Sequence, residues 1–143
     1  MRVYLDTNIL AFMVGQDQRC SISNNVDKLI DSYDTLLLSS SVCFAELVHL
    51  IQIGKVCIPG QKDVRKASVL TLKRLEEPGC KHGADHHGAH KDADRVPLYD
   101  AHRDPNDRLI ISQAMSDRVT LISSDRKFMR YGHYGLDFIF NER

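Results

Sequence analysis

The sequence predicts a single α/β domain, a parallel sheet covered by helices on both faces. Short apolar runs of strand length, bounded by polar residues, alternate with longer stretches of helical period. The links between them are short, and that alternation is the mark of a helix-covered parallel sheet. The chain has 143 residues, enough for one domain with a hydrophobic core, so residues 1–143 are read as one unit.

The elements follow in order. Val3-Tyr4-Leu5 is an apolar run of strand character that stops at Asp6-Thr7-Asn8, which are turn and cap types, and Ile9 to Val14 reads as helix. Residues 24–33 place Val26, Leu29, Ile30 and Tyr33 at helical spacing, opened by Asn24 or Asn25. Thr35 to Ser39 is a buried strand by its length, and serines 39–41 can cap a helix from Val42 to about Ile53. Gly54 suits a helix C-cap and Pro59-Gly60 a turn. Gln61 to Glu77 form an amphipathic helix with Val64, Ala67, Ser68, Leu72 and Leu75 on one side. Val119 to Ser123 is a strand ended by Ser124-Asp125, and Phe138-Ile139-Phe140 is the last strand.

Residues 79–95, GCKHGADHHGAHKDADR, break the pattern: they contain no Val, Ile, Leu, Met or aromatic residue. A stretch this long without an apolar period is unusual inside a compact domain, and it is expected to be irregular, exposed and mobile.

Composition removes several functions. Nineteen Lys+Arg balance nineteen Asp+Glu, which removes overall basicity as an argument for nucleic-acid binding, so any such function must be argued from a local site. No apolar run has the length of a membrane span. The acid at Asp6 comes too early for a signal peptide. Cys20, Cys43, Cys57 and Cys80 form no CxxC pair and read as reduced thiols of a cytoplasmic protein, with Cys43 in the core.

Four carboxylates are candidates for chemistry. Asp6 ends the first strand and Asp125 ends the VTLIS strand; parallel neighbours would project both toward the sheet edge where α/β folds bind ligands. Each alone is also an ordinary turn or cap residue. Asp104-Pro105 starts a helix with Asp104 as N-cap, which puts Asp107 at the third helical position. Asp107 then shares the core-facing stripe of Ile110, Ile111 and Ala114, and an acid there needs a partner or a metal. Glu46 lies in VCFAELVHLIQI, where His49 and Gln52 are the other polar residues; the stripe fits a solvent face and the mouth of an acidic pocket equally well. Converging carboxylates raise one another's pKa, and a hard divalent cation such as Mg²⁺ relieves this while leaving room for water and phosphate oxygens.

LDTNIL (5–10), SSSVCFAEL (39–47), HRDPNDRLIISQA (102–114) and LISSDRKFMRYG (121–132) together resemble the PIN-domain ribonucleases, in particular the VapC-type toxins of bacterial toxin–antitoxin pairs. The resemblance spans residues 1–76 and 96–143. It implies a three-layer α/β/α domain with a central parallel sheet and a metal-dependent endoribonuclease site. By motif, Asp6 and Asp107 would be the principal Mg²⁺ ligands, with Mn²⁺ as a substitute, and Glu46 and Asp125 would complete the pocket. Asn8 and Ser124 would give hydrogen-bonding support. The resemblance also implies an RNA substrate, a cognate antitoxin and a homodimer. Arg103, Arg108, Arg126, Lys127 and Arg130 could form a local basic patch, with Arg103 and Arg108 taken as the substrate contacts.

Residues 79–95 depart from the family pattern, which has an apolar strand and a helix before VPLYDAHRDP. Two origins are open, a genuine loop or a local frameshift that preserved the flanking frame, and either is expected to leave the sheet short of a strand. Cys80, His82, His86, His87 and His90 also admit a transition-metal-binding role. A PIN-like module that binds RNA or protein without cutting is the other alternative.

Overall fold

The computed structural model describes residues 1–76, 81–83, 96 and 103–142. In chain order come β1 (Arg2–Leu5), α1 (Thr7–Val14), a 3-10 turn (Arg19–Ser21), α2 (Asn24–Ile30) and β2 (Leu36–Ser40). Then follow α3 (Ser41–Gln52), α4 (Val64–Glu76), β3 (Lys81–Gly83) and α5 (Pro105–Asp117). β4 (Thr120–Ser123), a 3-10 segment (Arg126–Tyr134) and β5 (Phe138–Phe140) complete the order.

The strands form one sheet in the order β3-β2-β1-β4-β5, every pair parallel. Val3 stands in register between Leu37 of β2 and Thr120 of β4. The chain builds outward from β1 through β2 to β3, then returns to lay β4 and β5 on the other side of β1. The order therefore reverses between β1 and β4, where parallel α/β sheets open a crevice at their carboxyl ends.

Successive strand residues point to opposite faces, yet Val3, Tyr4 and Leu5 are all buried, and so are all four residues of β4. Both faces are covered, giving the expected α/β/α layering. Val3, Leu5, Leu121 and Ile122 are sealed between the layers, and each buried aliphatic side chain of this size stabilises the fold by about 1.5–3 kcal/mol. Cys43 lies within this core, its thiol pushed up to about 12 chiefly by burial.

Local chemistry sets the element ends. Asp104 accepts a hydrogen bond from the Asn106 N–H at 2.8 Å and Pro105 opens α5, as the Asp-Pro pair predicts. The Ser40 hydroxyl caps α3 by accepting from the Val42 N–H. α4 begins at Val64, not Gln61, because Asp63 accepts from the Lys66 N–H at 3.0 Å and fixes the first turn there. Gly60, at φ +75°, supplies the left-handed residue of the turn before it. α2 ends at Ile30, and Tyr33, read from its spacing as part of that helix, is fully exposed.

The sheet is not short of a strand at this edge. Lys81–Gly83, inside the segment expected to be irregular, pairs in parallel with Leu38–Ser40. Backbone hydrogen bonding to β2 makes this strand; Lys, His and Gly have little strand preference of their own. The expectation of an exposed, mobile 79–95 and the Cys80, His86, His87 and His90 metal tract otherwise lie outside the described residues.

Candidate active site

The crevice at the switch point is a cleft of about 370 Å³ lined by Asp6, Glu46, Asp107 and Asp125, together with Thr7, Asn8, Leu50, Arg103, Asp104 and Lys127. Four separate elements bring the acids there. Asp6 follows β1, Glu46 comes from the middle of α3, Asp107 from the first turn of α5, and Asp125 from the turn after β4.

Asp6 is the anchor. It is 5% exposed, and its backbone N–H donates to the Ile122 carbonyl at 3.1 Å, which ties it to β4. Its carboxylate accepts from the Thr7 N–H at 2.7 Å, from Asn8 Nδ2 at 2.7 Å and from the Ser123 hydroxyl at 2.6 Å. One side chain thus caps α1 and faces the cleft. Burial raises its pKa from 3.8 to about 7; the Asp107 and Glu46 charges push the same way, against the hydrogen bonds from Ser123 and Thr7.

Glu46 is half-buried and accepts from the Thr7 hydroxyl at 2.6 Å through Oε2. Thr7 therefore links the first two acids, bonding Asp6 through its backbone and Glu46 through its side chain. Asp125 caps the 3-10 segment by accepting from the Lys127 N–H at 2.9 Å, while its own N–H donates to the Ser123 hydroxyl at 3.0 Å. Asp107 is half-buried at the third position of α5, and its charge is felt at Asp6 and at Tyr131.

The supporting residues are redistributed relative to the sequence reading. Asn8 does bond the Asp6 carboxylate. The serine that does so is Ser123, fully buried; Ser124 instead donates its backbone N–H to Asn8 Oδ1 at 3.1 Å. Arg103 lines the cleft, whereas Arg108 is not among its lining residues and donates from Nη2 to the Val96 carbonyl at 2.8 Å. Lys127, which sequence treated as one of several surface charges, lines the cleft. Thr7 and Ser123 went unnoticed in the sequence. Their signal was position, since each adjoins a strand end that carries or follows an acid.

Asp6 makes the stability of the protein sensitive to pH. Its folded pKa lies above that of an unfolded carboxylate, so the folded state holds the extra proton between about pH 4 and 7. This contribution to stability is complete below about pH 4 and is lost as pH rises through 7, on the order of a few kcal/mol. Thermal melts in EDTA are expected to fall between pH 5 and pH 8, and added Mg²⁺ is expected to raise the pH 8 melt more than the pH 5 melt. Equal gains at both pH values would contradict a cation competing with this proton.

The fold and cleft define a class, a small parallel α/β domain with carboxylates gathered at its switch point. A family model described as PIN domain matches residues 3–134, and the chain belongs to the PIN domain family. No curated protein matches the sequence. Among solved structures it is similar to VapBC2 from Rickettsia felis bound to a DNA fragment from its promoter, with a TM-score of 0.70 and 18% identity over 99% of this chain and 100% of that one. It is similar also to VapBC-1 from nontypeable Haemophilus influenzae, with a TM-score of 0.63 and 20% identity over 98% of each chain. A third is VapBC-5 from Mycobacterium tuberculosis, of the VapBC family of toxin–antitoxin systems, with a TM-score of 0.59 and 17% identity over 99% of this chain and 98% of that one. At such identities the likeness speaks for the fold.

Proposed function

We propose that this chain is a Mg²⁺-dependent endoribonuclease and the toxin of a toxin–antitoxin pair. The observation that carries the reading is the convergence of Asp6, Glu46, Asp107 and Asp125 on one cleft, with the buried Asp6 carboxyl raised to about 7. Membership of the PIN family and the likeness to toxin–antitoxin structures support it.

The residues fit a hard divalent cation. The acids offer only carboxylate oxygens, and a cation would reverse the repulsion that raises Asp6. Among the described residues no three His, Cys, Asp or Glu side chains are grouped closely enough to hold a metal by themselves. Mg²⁺ takes one or two carboxylates and keeps waters as its other ligands. Asp6 and Asp107 would hold it, with Glu46 and Asp125 completing the pocket through water, and Mn²⁺ would substitute. Bound there, the cation supplies a water activated for in-line attack on a phosphodiester and charge stabilisation for the leaving oxygen.

The chain's own residues prepare that chemistry. Thr7 and Ser123 hold Glu46 and Asp6 in fixed orientations, and Asn8 bonds the Asp6 oxygen that Ser123 also reaches. Arg103 and Lys127 add positive charge to the lining of the acidic cleft, where an RNA phosphate would meet it. With zero net charge the attraction is local, so salt weakens substrate binding. The remaining parts of the reading are an antitoxin that covers the cleft, a homodimer and a cytoplasmic location. Among the described residues no helix is long and apolar enough to cross a membrane.

RNA incubated with purified protein and Mg²⁺ or Mn²⁺ is expected to be cut, and EDTA is expected to stop it. Folded protein that leaves RNA intact under both metals would overturn the nuclease reading.

A further inference from the structure

The end of the chain reaches the cleft through one buried side chain. Asn141 follows β5 and is 0% exposed, and every polar group of its amide is engaged. Nδ2 donates to the Ser21 carbonyl at 2.9 Å and to the Ser124 hydroxyl at 2.8 Å, while Oδ1 accepts from the Ser23 N–H at 2.7 Å. Its backbone N–H donates to the Ser123 carbonyl at 2.9 Å. Stapling β5 to residues 21–23 accounts for two of the three side-chain bonds. The third goes to Ser124, which sits between two residues of the site.

Ser124 passes the constraint inward. Its N–H donates to Asn8 Oδ1 at 3.1 Å, and this decides which way the Asn8 amide faces. With its oxygen turned to Ser124, Asn8 presents Nδ2 to the Asp6 carboxylate at 2.7 Å and to the Ser123 hydroxyl at 3.0 Å. A flipped Asn8 would set its carbonyl oxygen against a carboxylate. Buried networks of this kind act as a unit, because each unmatched donor or acceptor inside them is costly.

We propose that Asn141 is a positioning residue for the site: by holding Ser124 it fixes the Asn8 amide and, through it, the Asp6 carboxylate. Asn141 lies beyond residues 3–134, the span that matches the PIN family model. The proposal rests on the reading of the cleft as a metal-dependent nuclease site for its effect on activity, and on hydrogen-bond geometry alone for its effect on Asn8. Outer partners of metal ligands typically change metal affinity or activity by about 10–100-fold when removed.

The test uses Asn141→Ala and Ser124→Ala in the full chain. Ser124→Ala removes only the hydroxyl and keeps the N–H that bonds Asn8, so it guards against a fold lost in the first variant. Both are expected to shift the Asn8 side-chain amide resonances, to weaken Mg²⁺ binding in titrations by about tenfold, and to lower kcat with KM for RNA unchanged. Asn141→Ala that melts earlier but keeps wild-type Asn8 resonances and Mg²⁺ affinity would reduce Asn141 to a structural staple and overturn the proposal. Wild-type protein that takes up no Mg²⁺, with the Asn8 amide still shifted in both variants, would keep the relay and remove the nuclease reading.

Discussion

Asp107→Asn is expected to abolish Mg²⁺-stimulated RNA cleavage, by more than about 100-fold, since even outer partners of a metal ligand are worth 10–100-fold. The same protein is expected to stay folded. Two effects on stability oppose one another. Asn removes a carboxylate from the N-terminal turn of α5, where the helix dipole favours it by about 0.3–1 kcal/mol. It also removes a like charge that raises the buried Asp6. Melting by circular dichroism should therefore differ from wild type by only a few degrees, and the Asp6 carboxyl should titrate lower. Cleavage that survives in Asp107→Asn would sink the assignment of this acid as a metal ligand. Lost cleavage together with a collapsed melt would mean that Asp107 works through the fold.

Tryptic mass spectrometry of the natural protein across residues 79–95 is expected to read a different sequence, rich in Ile, Thr and Met. The segment holds seven Asp and His residues, at 82, 85, 86, 87, 90, 92 and 94. Asp and His codons both have adenine second and a pyrimidine third. Read one base later, every one of them begins AU or AC and encodes only Ile, Met or Thr. VVSTVPITTEHIKTLTE is one of the many readings that the displaced frame permits across the segment, and it opens on residues of strand preference. A displaced frame thus explains at once why the segment lacks apolar residues and why it is dense in Asp and His. A variant carrying the displaced reading should be more stable. Each aliphatic side chain it added to the core would contribute about 1.5–3 kcal/mol, or several degrees in melting temperature. Peptides that match the sequence as given, with no gain in the variant's melt, would overturn the frameshift.

The local features are legible along the chain. The strands at Val3–Leu5, Leu36–Ser39 and Thr120–Ser123 and the Asp104-Pro105 helix start could be read from short-range spacing, because strand period, helix period and caps are set within a few residues. The acids stood out for the same reason: a carboxylate at a strand end or on an apolar stripe is visible without knowing its neighbours. Which of these groups meet depends on how the elements pack. Pairing β4 with β1 sets Ser123, rather than Ser124, against Asp6, and pairing β5 with β4 brings Asn141 to Ser124. Thr7 meets Glu46 across 39 positions of sequence. Arg103 and Arg108 looked equivalent in the sequence, yet one lines the cleft and the other holds the Val96 carbonyl. Each of these contacts joins side chains from different elements, and no periodicity along one element encodes its partner on another. The order of strands in the sheet does.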